Sequence, residues 1–262
     1  MKIFFSKIKE YGFLSIISIL VLLSSITILS SCSEVGRSSK IPETPTVINT
    51  NPNAENPLIV LEFFKGKEHN HPLMAVWTED LDGKYIETLY IAESIAKGMY
   101  IHGDKTSGKW MPGPIRRPAT LPYWAHKRGV KEEDGLYIPS FLNPMPDAIS
   151  SATPKSNFVL NAKTTKKYPK QFFILFEINQ SWDWNEYWTN NKFPDDKEYK
   201  TSSQPSLVYR ASINTDSLDN PVQLKAIGHG HYSGANGELF EDLSTLTTAL
   251  KIAEKILVRV KL

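Results

Sequence analysis

Seven apolar runs of strand length, separated by turn-rich links, constrain this chain to an all-β fold. They read PLIVLEFF (57–64), LMAVWTE (73–79), KYIETLYIA (84–92), KQFFILFEIN (170–179), SLVYRASI (206–213), VQLKAIGH (222–229) and KILVRVKL (255–262). β-Branched and aromatic residues dominate them, as strands require. In the last run Ile256, Val258 and Val260 share one face while Lys255, Arg259 and Lys261 share the other, the alternation of a strand wetted on one side. DLDG (80–83) predicts a hairpin turn between the second and third runs. It lacks the further oxygen ligands at the spacing a calcium loop needs. Helical signal is scarce: the best stretch, EDLSTLTTALKIAEK (241–255), is weakened by its threonines. Seven such strands predict an immunoglobulin-like β-sandwich without the disulfide.

The segment 93–169 interrupts this pattern. It is rich in proline and carries the basic and aromatic string IRRPATLPYWAHKRG, which reads as a large loop-rich insertion wrapping the sandwich. Residues 32–56, rich in Ser, Pro, Asn and Thr, contain too little apolar surface to offset chain entropy and read as a flexible tether. The sandwich domain is therefore expected over 57–262.

The chain opens with Lys2, Lys7 and Lys9, an apolar stretch from Phe13 to Leu29, and then Leu29-Ser30-Ser31-Cys32. That is the layout of a secretory signal over 1–31, and its end resembles the bacterial lipobox, which implies cleavage before Cys32 and acylation of its thiol and amino group. Several acyl chains on one residue give durable anchoring, at about 0.8 kcal/mol per buried methylene. The expected location is thus a membrane-held lipoprotein facing the periplasm or the cell exterior, at the outer membrane. Cys32 is the one cysteine, so acylation leaves no thiol for disulfides, thiolate metal sites or cysteine catalysis. Of 30 basic and 28 acidic side chains the leader holds Lys2, Lys7, Lys9 and Glu10, so 27 of each sign remain after cleavage. A neutral chain lacks the electrostatic footprint of a nucleic-acid binder.

EINQSWDWNEYWTNN (177–191) sets three tryptophans within seven positions directly after an apolar strand. If the strand continues, Glu177, Asn179, Ser181, Asp183 and Asn185 point one way while Ile178, Gln180, Trp182 and Trp184 point the other. Two functions follow from this. Trp182, Asp183, Trp184, Asn185 and Trp188 can form a ligand face on which sugar rings stack, or the tryptophans can pack as a lid under the insertion while the polar side chains tie down loop backbone. Burial statistics favour the lid for Trp182 and Trp184, with Trp188 partly exposed.

Two His-x-His pairs occur, His69/His71 and His229/His231. The second follows an apolar strand and is the better candidate for zinc or copper, with Glu177 or Asp183 as a third ligand. No nucleophile elbow, phosphate-binding loop or zinc-protease helix motif is present, so the chain carries no recognisable catalytic motif.

DAISSATPKS (147–156) resembles the acceptor motif of covalently flavinylated extracytoplasmic proteins. The resemblance implies that Thr153 receives FMN through a phosphoester and that Asp147 belongs to the signal read by a flavin transferase. Ser151 stands where glycine is commoner, and Pro154 follows the threonine at once. The alternative is a turn with local Asx and Ser/Thr hydrogen bonds and no cofactor. More broadly, HPLMAVWTEDLDGKYIETLYIA, RRPATLPYWAHKRG, PDAISSATP, EINQSWDWNEYW and SSQPSLVYRASI are similar to an uncharacterised family of predicted periplasmic proteins and lipoproteins, likened to the immunoglobulin-like fold of flagellar hook-cap proteins. That resemblance implies a sandwich and, for some members, association with flavin transferases. The expected function is a non-enzymatic binding or accessory module of the cell envelope with a protein or glycan partner, the alternatives being a flavinylated electron carrier and a glycan-binding surface lipoprotein.

Overall fold

The computed structural model describes residues 44–218 and 220–261. The leader, Cys32 and the first part of the tether lie outside the described residues.

Period-two apolar patterning produces two sheets that face each other. One contains β1 (Thr46–Thr50), β2 (Leu58–Lys65), β8 (Phe158–Lys163), β11 (Val222–Gln223) and β13 (Ala253–Lys261), in the order β1-β8-β2-β13-β11. The other contains β3 (Leu73–Glu79), β4 (Tyr85–Ala92), β7 (Ser150–Ser151), β9 (Gln171–Asn179), β10 (Leu207–Asn214) and β12 (Lys225–His229), in the order β12-β10-β9-β3-β4-β7. Pairing is antiparallel except β1 with β8 and β4 with β7. The protein is an all-β sandwich with a large loop-rich insertion, as the seven runs predict.

Ile59, Leu61 and Phe63 of β2, Ile256 and Val258 of β13, and Phe172, Ile174 and Phe176 of β9 fill the space between the sheets. Phe63 stacks on Phe176 across the interface with centroids 5.7 Å apart. A second core covers the outer face of the larger sheet. There α1 (Glu93–Lys97) and α2 (Pro122–Arg128) of the insertion lay Ile95, Leu121 and Trp124 against Trp77, Leu175 and Val208. With both faces covered, β9 reads FFILF without alternation.

DLDG forms the hairpin between β3 and β4. The Asp80 carboxylate accepts the N–H groups of Asp82 and Lys84, and Gly83 takes the positive φ the turn requires.

Three boundaries differ from expectation. Β-structure begins inside the supposed tether: β1 pairs with β8, burying Ile48 and Thr50, so order starts by Thr44 rather than at residue 57. The alternation in TVINT is short and polar, and its partner lies far along the chain. Likewise β8 belongs to the sandwich although it falls within 93–169, so the true insertion ends before Phe158. The stretch 241–255 makes no α-helix; it holds turns, a 3-10 turn at Ala249–Lys251 and the start of β13.

The single run 222–229 is divided between the sheets. Leu224 donates its N–H to Ile256 of β13, whereas the next residue, Lys225, pairs with Arg210 of β10. Strand register gathers several loops at one end: the C-terminal ends of β2, β4 and β9 and the N-terminal ends of β1, β3, β8, β10 and β13.

Candidate functional site

At that end, β9 stops at Asn179 and the chain leaves the sheet. The strand does not continue through the tryptophans, yet their side chains still alternate. Trp182 and Trp184 are 62% and 56% exposed, while Asp183 and Asn185 turn inward. The lid expected from their apolar character is therefore incorrect for these two residues, and Trp188, expected to be partly exposed, is 7% exposed.

Polar bonding explains the inversion. The Asp183 N–H donates to Ser202 O at 3.0 Å, and Gln204 returns both its N–H and its Nε2 to Asp183 O. Thr248 Oγ1 donates to the Asp183 carboxylate. Asn185 Nδ2 donates to Thr245 O at 2.9 Å and Thr247 Oγ1 at 3.0 Å, while its Oδ1 accepts the N–H of Tyr187 and of Trp188. Burial pushes the Asp183 carboxyl up, opposed by the Thr248 hydrogen bond. These bonds fix the backbone beside each outward-facing indole, while the second carboxylate oxygen of Asp183 is buried without a hydrogen-bond partner among the described residues.

Two residues at this point hold uncommon backbone conformations. Trp182 has φ 57°, and Ser203, bridged to Asp183, has φ 70° and ψ −88°. Left-handed conformations at residues with a Cβ cost about 1–3 kcal/mol each and persist where surrounding contacts over-determine them, often at binding sites. Arg117 supports the segment from the insertion: its guanidinium lies over the Tyr100 ring at 4.5 Å and donates to Ser181 Oγ at 2.9 Å.

Trp188 belongs to the core between the sheets. Its Nε1 donates to Thr245 Oγ1, and its ring contacts Tyr199, Tyr232 and His229 within 6.3 Å. Lys192 Nζ lies 3.1 Å from the Tyr187 centroid and 4.7 Å from that of Trp188. Tyr187 is exposed like Trp182 and Trp184, an aromatic the sequence reading passed over although EYW carried the signal.

The histidines do not assemble a metal centre among the described residues. His229 is buried, stacks on Phe240 and directs Nδ1 to Gly230 O, while His231 Nδ1 accepts from Ser233. Burial lowers the pKa of both. Neither expected third ligand is available to them. Asp183 is held as above, and Glu177, fully buried on β9, accepts the N–H groups of Tyr123 and Trp124 and the hydroxyl of Ser206. Those two N–H groups open α2, whose preceding residue Leu121 has no side chain able to cap. Glu177 is thus a structural carboxylate joining insertion to sheet, and burial raises its pKa to about 7. Of the other pair, His71 Nδ1 bonds Asn70 Oδ1 and His69 packs on Phe63.

Thr153 lies just beyond β7, the edge strand of the larger sheet, and is half-buried, while the nearby Tyr90 hydroxyl donates to Ser151 O at 3.3 Å. Asp147 is exposed and pairs with Lys97 at 3.2 Å. The segment thus offers an accessible edge with a partly shielded hydroxyl, compatible with an acceptor threonine. No helix among the described residues is long and apolar enough to cross a membrane. In comparisons with known proteins, no family model, no curated protein and no solved structure matches this chain.

Proposed function

We propose that this protein is a lipid-anchored module of the bacterial cell envelope, held at the outer membrane through Cys32, that binds a carbohydrate-bearing ligand on the Trp182–Trp184–Tyr187 surface. The observation that carries the reading is the exposure of Trp182 and Trp184 on a backbone locked by Asp183 and Asn185. Indole faces are hydrophobic and electron-rich, and the C–H faces of sugar rings stack on them. A platform that is rigid before binding loses little conformational entropy when occupied. Lys192, over Tyr187, adds a cation at the rim.

The test is a glycan array probed with wild type and with Trp182→Ala and Trp184→Ala. Binding that disappears in both variants while their melting temperatures hold supports the platform. Wild type that retains no glycan, or variants that bind equally well, removes it.

A second reading, FMN on Thr153, draws support from the position of that residue beside an edge strand, where a transferase can approach the chain. It predicts a flavin-sized mass increase and visible absorbance on co-expression with a flavin transferase, both lost in Thr153→Ala.

A further inference from the structure

A second apolar surface lies on the insertion, joined to the tryptophan segment by Arg117, which reaches from Tyr100 to Ser181. After α1 the insertion forms a two-stranded ribbon, β5 (Met99–Asp104) with β6 (Met111–Pro114), that stands outside both sheets of the sandwich. Met99, Ile101, Trp110 and Met111 on the ribbon are exposed, Ile101 at 74%. Phe141 and Leu142 extend the patch at its base, where a Cβ on Gly98 would lie 2.9 Å from the backbone of Phe141. Isolated exposed apolar residues are ordinary, but four on one short ribbon, with Met99 and Ile101 on one face and Met111 on the other, and two more at its base are more apolar surface than water favours.

The chemistry of the patch selects its occupant. Trp110 is accompanied by exposed Lys105, whose Nζ is 5.9 Å from the indole centroid, and by exposed Lys109. The one carboxylate of the ribbon, Asp104, is turned back onto the Thr106 N–H and hydroxyl. Tryptophan with lysine beside aliphatic side chains is the composition of the bilayer interface, where indoles sit at headgroup depth and ammonium groups meet lipid phosphates.

Position agrees with composition. The described chain begins at the end of the sandwich from which the ribbon springs: Thr46 pairs with Phe158, which lies opposite Phe63 near the end of β2, and β4 leads into α1 and the ribbon at that same end. The stretch from Cys32 to Thr44 spans at most about 40 Å when fully extended. An anchor at Cys32 therefore keeps the ribbon within reach of the lipid surface.

We propose that the β5–β6 ribbon is a membrane-contacting element, with Ile101, Trp110 and Met111 seated among lipid headgroups and Lys105 and Lys109 against anionic phosphates. This inference rests on the lipid anchoring proposed above.

The test uses the full lipoprotein, purified from a lipidating host and reconstituted into vesicles of phosphatidylethanolamine and phosphatidylglycerol. Because acylation occupies Cys32, a thiol-specific fluorophore can be placed at Ile101→Cys or, as control, at Asp82→Cys in the hairpin at the opposite end. Quenching by a water-soluble quencher should fall several-fold for the probe at 101 relative to the probe at 82, and brominated lipid should quench only the former. Equal accessibility at both positions in protein that stays with the vesicles overturns the ribbon inference while leaving the anchor intact. Shielding at 101 that rises with protein density rather than with lipid would identify a second copy of the chain as the occupant, and also overturns it. Protein that washes off the vesicles refutes the anchor itself, and the inference with it.

Discussion

The side chain of Asn185 accepts the backbone N–H of Trp188 at 2.7 Å, and the chain turns at this contact so that Trp188 enters the core while Trp184, one residue before Asn185, remains in solvent. Asn185 simultaneously donates to Thr245 O and Thr247 Oγ1, binding the turn to the segment before β13. One amide thus sets the direction of the neighbouring indoles.

Truncating the tryptophans should separate their roles. Trp188→Ala removes a buried ring together with its bond to Thr245 and should cost about 3–5 kcal/mol. Trp182→Ala and Trp184→Ala should stay within about 0.5 kcal/mol, because each indole is mostly in water already. Urea unfolding of the three variants checks this. An equal loss at Trp184 and Trp188 would contradict the orientation described here.

Asn185→Ala should destabilise the domain by about 2 kcal/mol, since it leaves two backbone N–H groups and the Thr245 carbonyl without this partner. Amide hydrogen exchange should rise first at Tyr187 and Trp188. Unchanged protection there would show that the amide does not hold the turn.

Glu177 should make stability depend on pH. Its pKa of about 7 in the fold lies above the ordinary 4.5, so between those values the folded chain binds more protons than the unfolded one. Stability from this group is therefore greatest below about pH 4.5, falls as pH rises toward 7 and is level above it, by about 3 kcal/mol across the window. Glu177→Gln removes that slope. The variant should gain on wild type as pH is raised from 5 to 8, and parallel unfolding free energies across the range would reject the assignment.

Cys32→Ala should abolish acylation and leave the leader uncleaved. Metabolic labelling with palmitate and the mass of the product measure both. A variant that still matures to the wild-type size and labels with lipid would exclude Cys32 as the anchor.

The seven strand-forming runs were legible because their apolar period and turn residues agree, as at DLDG between β3 and β4, and six of them are single strands. Strand β1 was not, because TVINT is too short and polar to stand out and becomes a strand only when β8 supplies a partner. The division of 222–229 was hidden for a different reason. A period of two tells which way a side chain points but not which sheet receives the backbone hydrogen bonds. For the candidate site the sequence established the alternation about Asp183 and Asn185 and misjudged its sense. Apolar character favours burying Trp182 and Trp184, but Asp183 and Asn185 find hydrogen-bond partners at Gln204 and at Thr245–Thr248, residues that sequence spacing does not bring near. The threonines that weakened the helical reading of 241–255 serve as those partners.

Leu224, where the chain passes from one sheet to the other, has a mechanical meaning. Because residues 222–223 are zipped to β13 and residues 225–229 to β10, the peptide links on either side of Leu224 act as a stitch through both layers. Shear that slides one layer over the other loads this covalent stitch directly, so the layers must come apart by unzipping Val222–Gln223 from β13 or Lys225–His229 from β10. In a domain with no cysteine crosslink, the stitch supplies the tie between layers that a disulfide provides in other sandwiches.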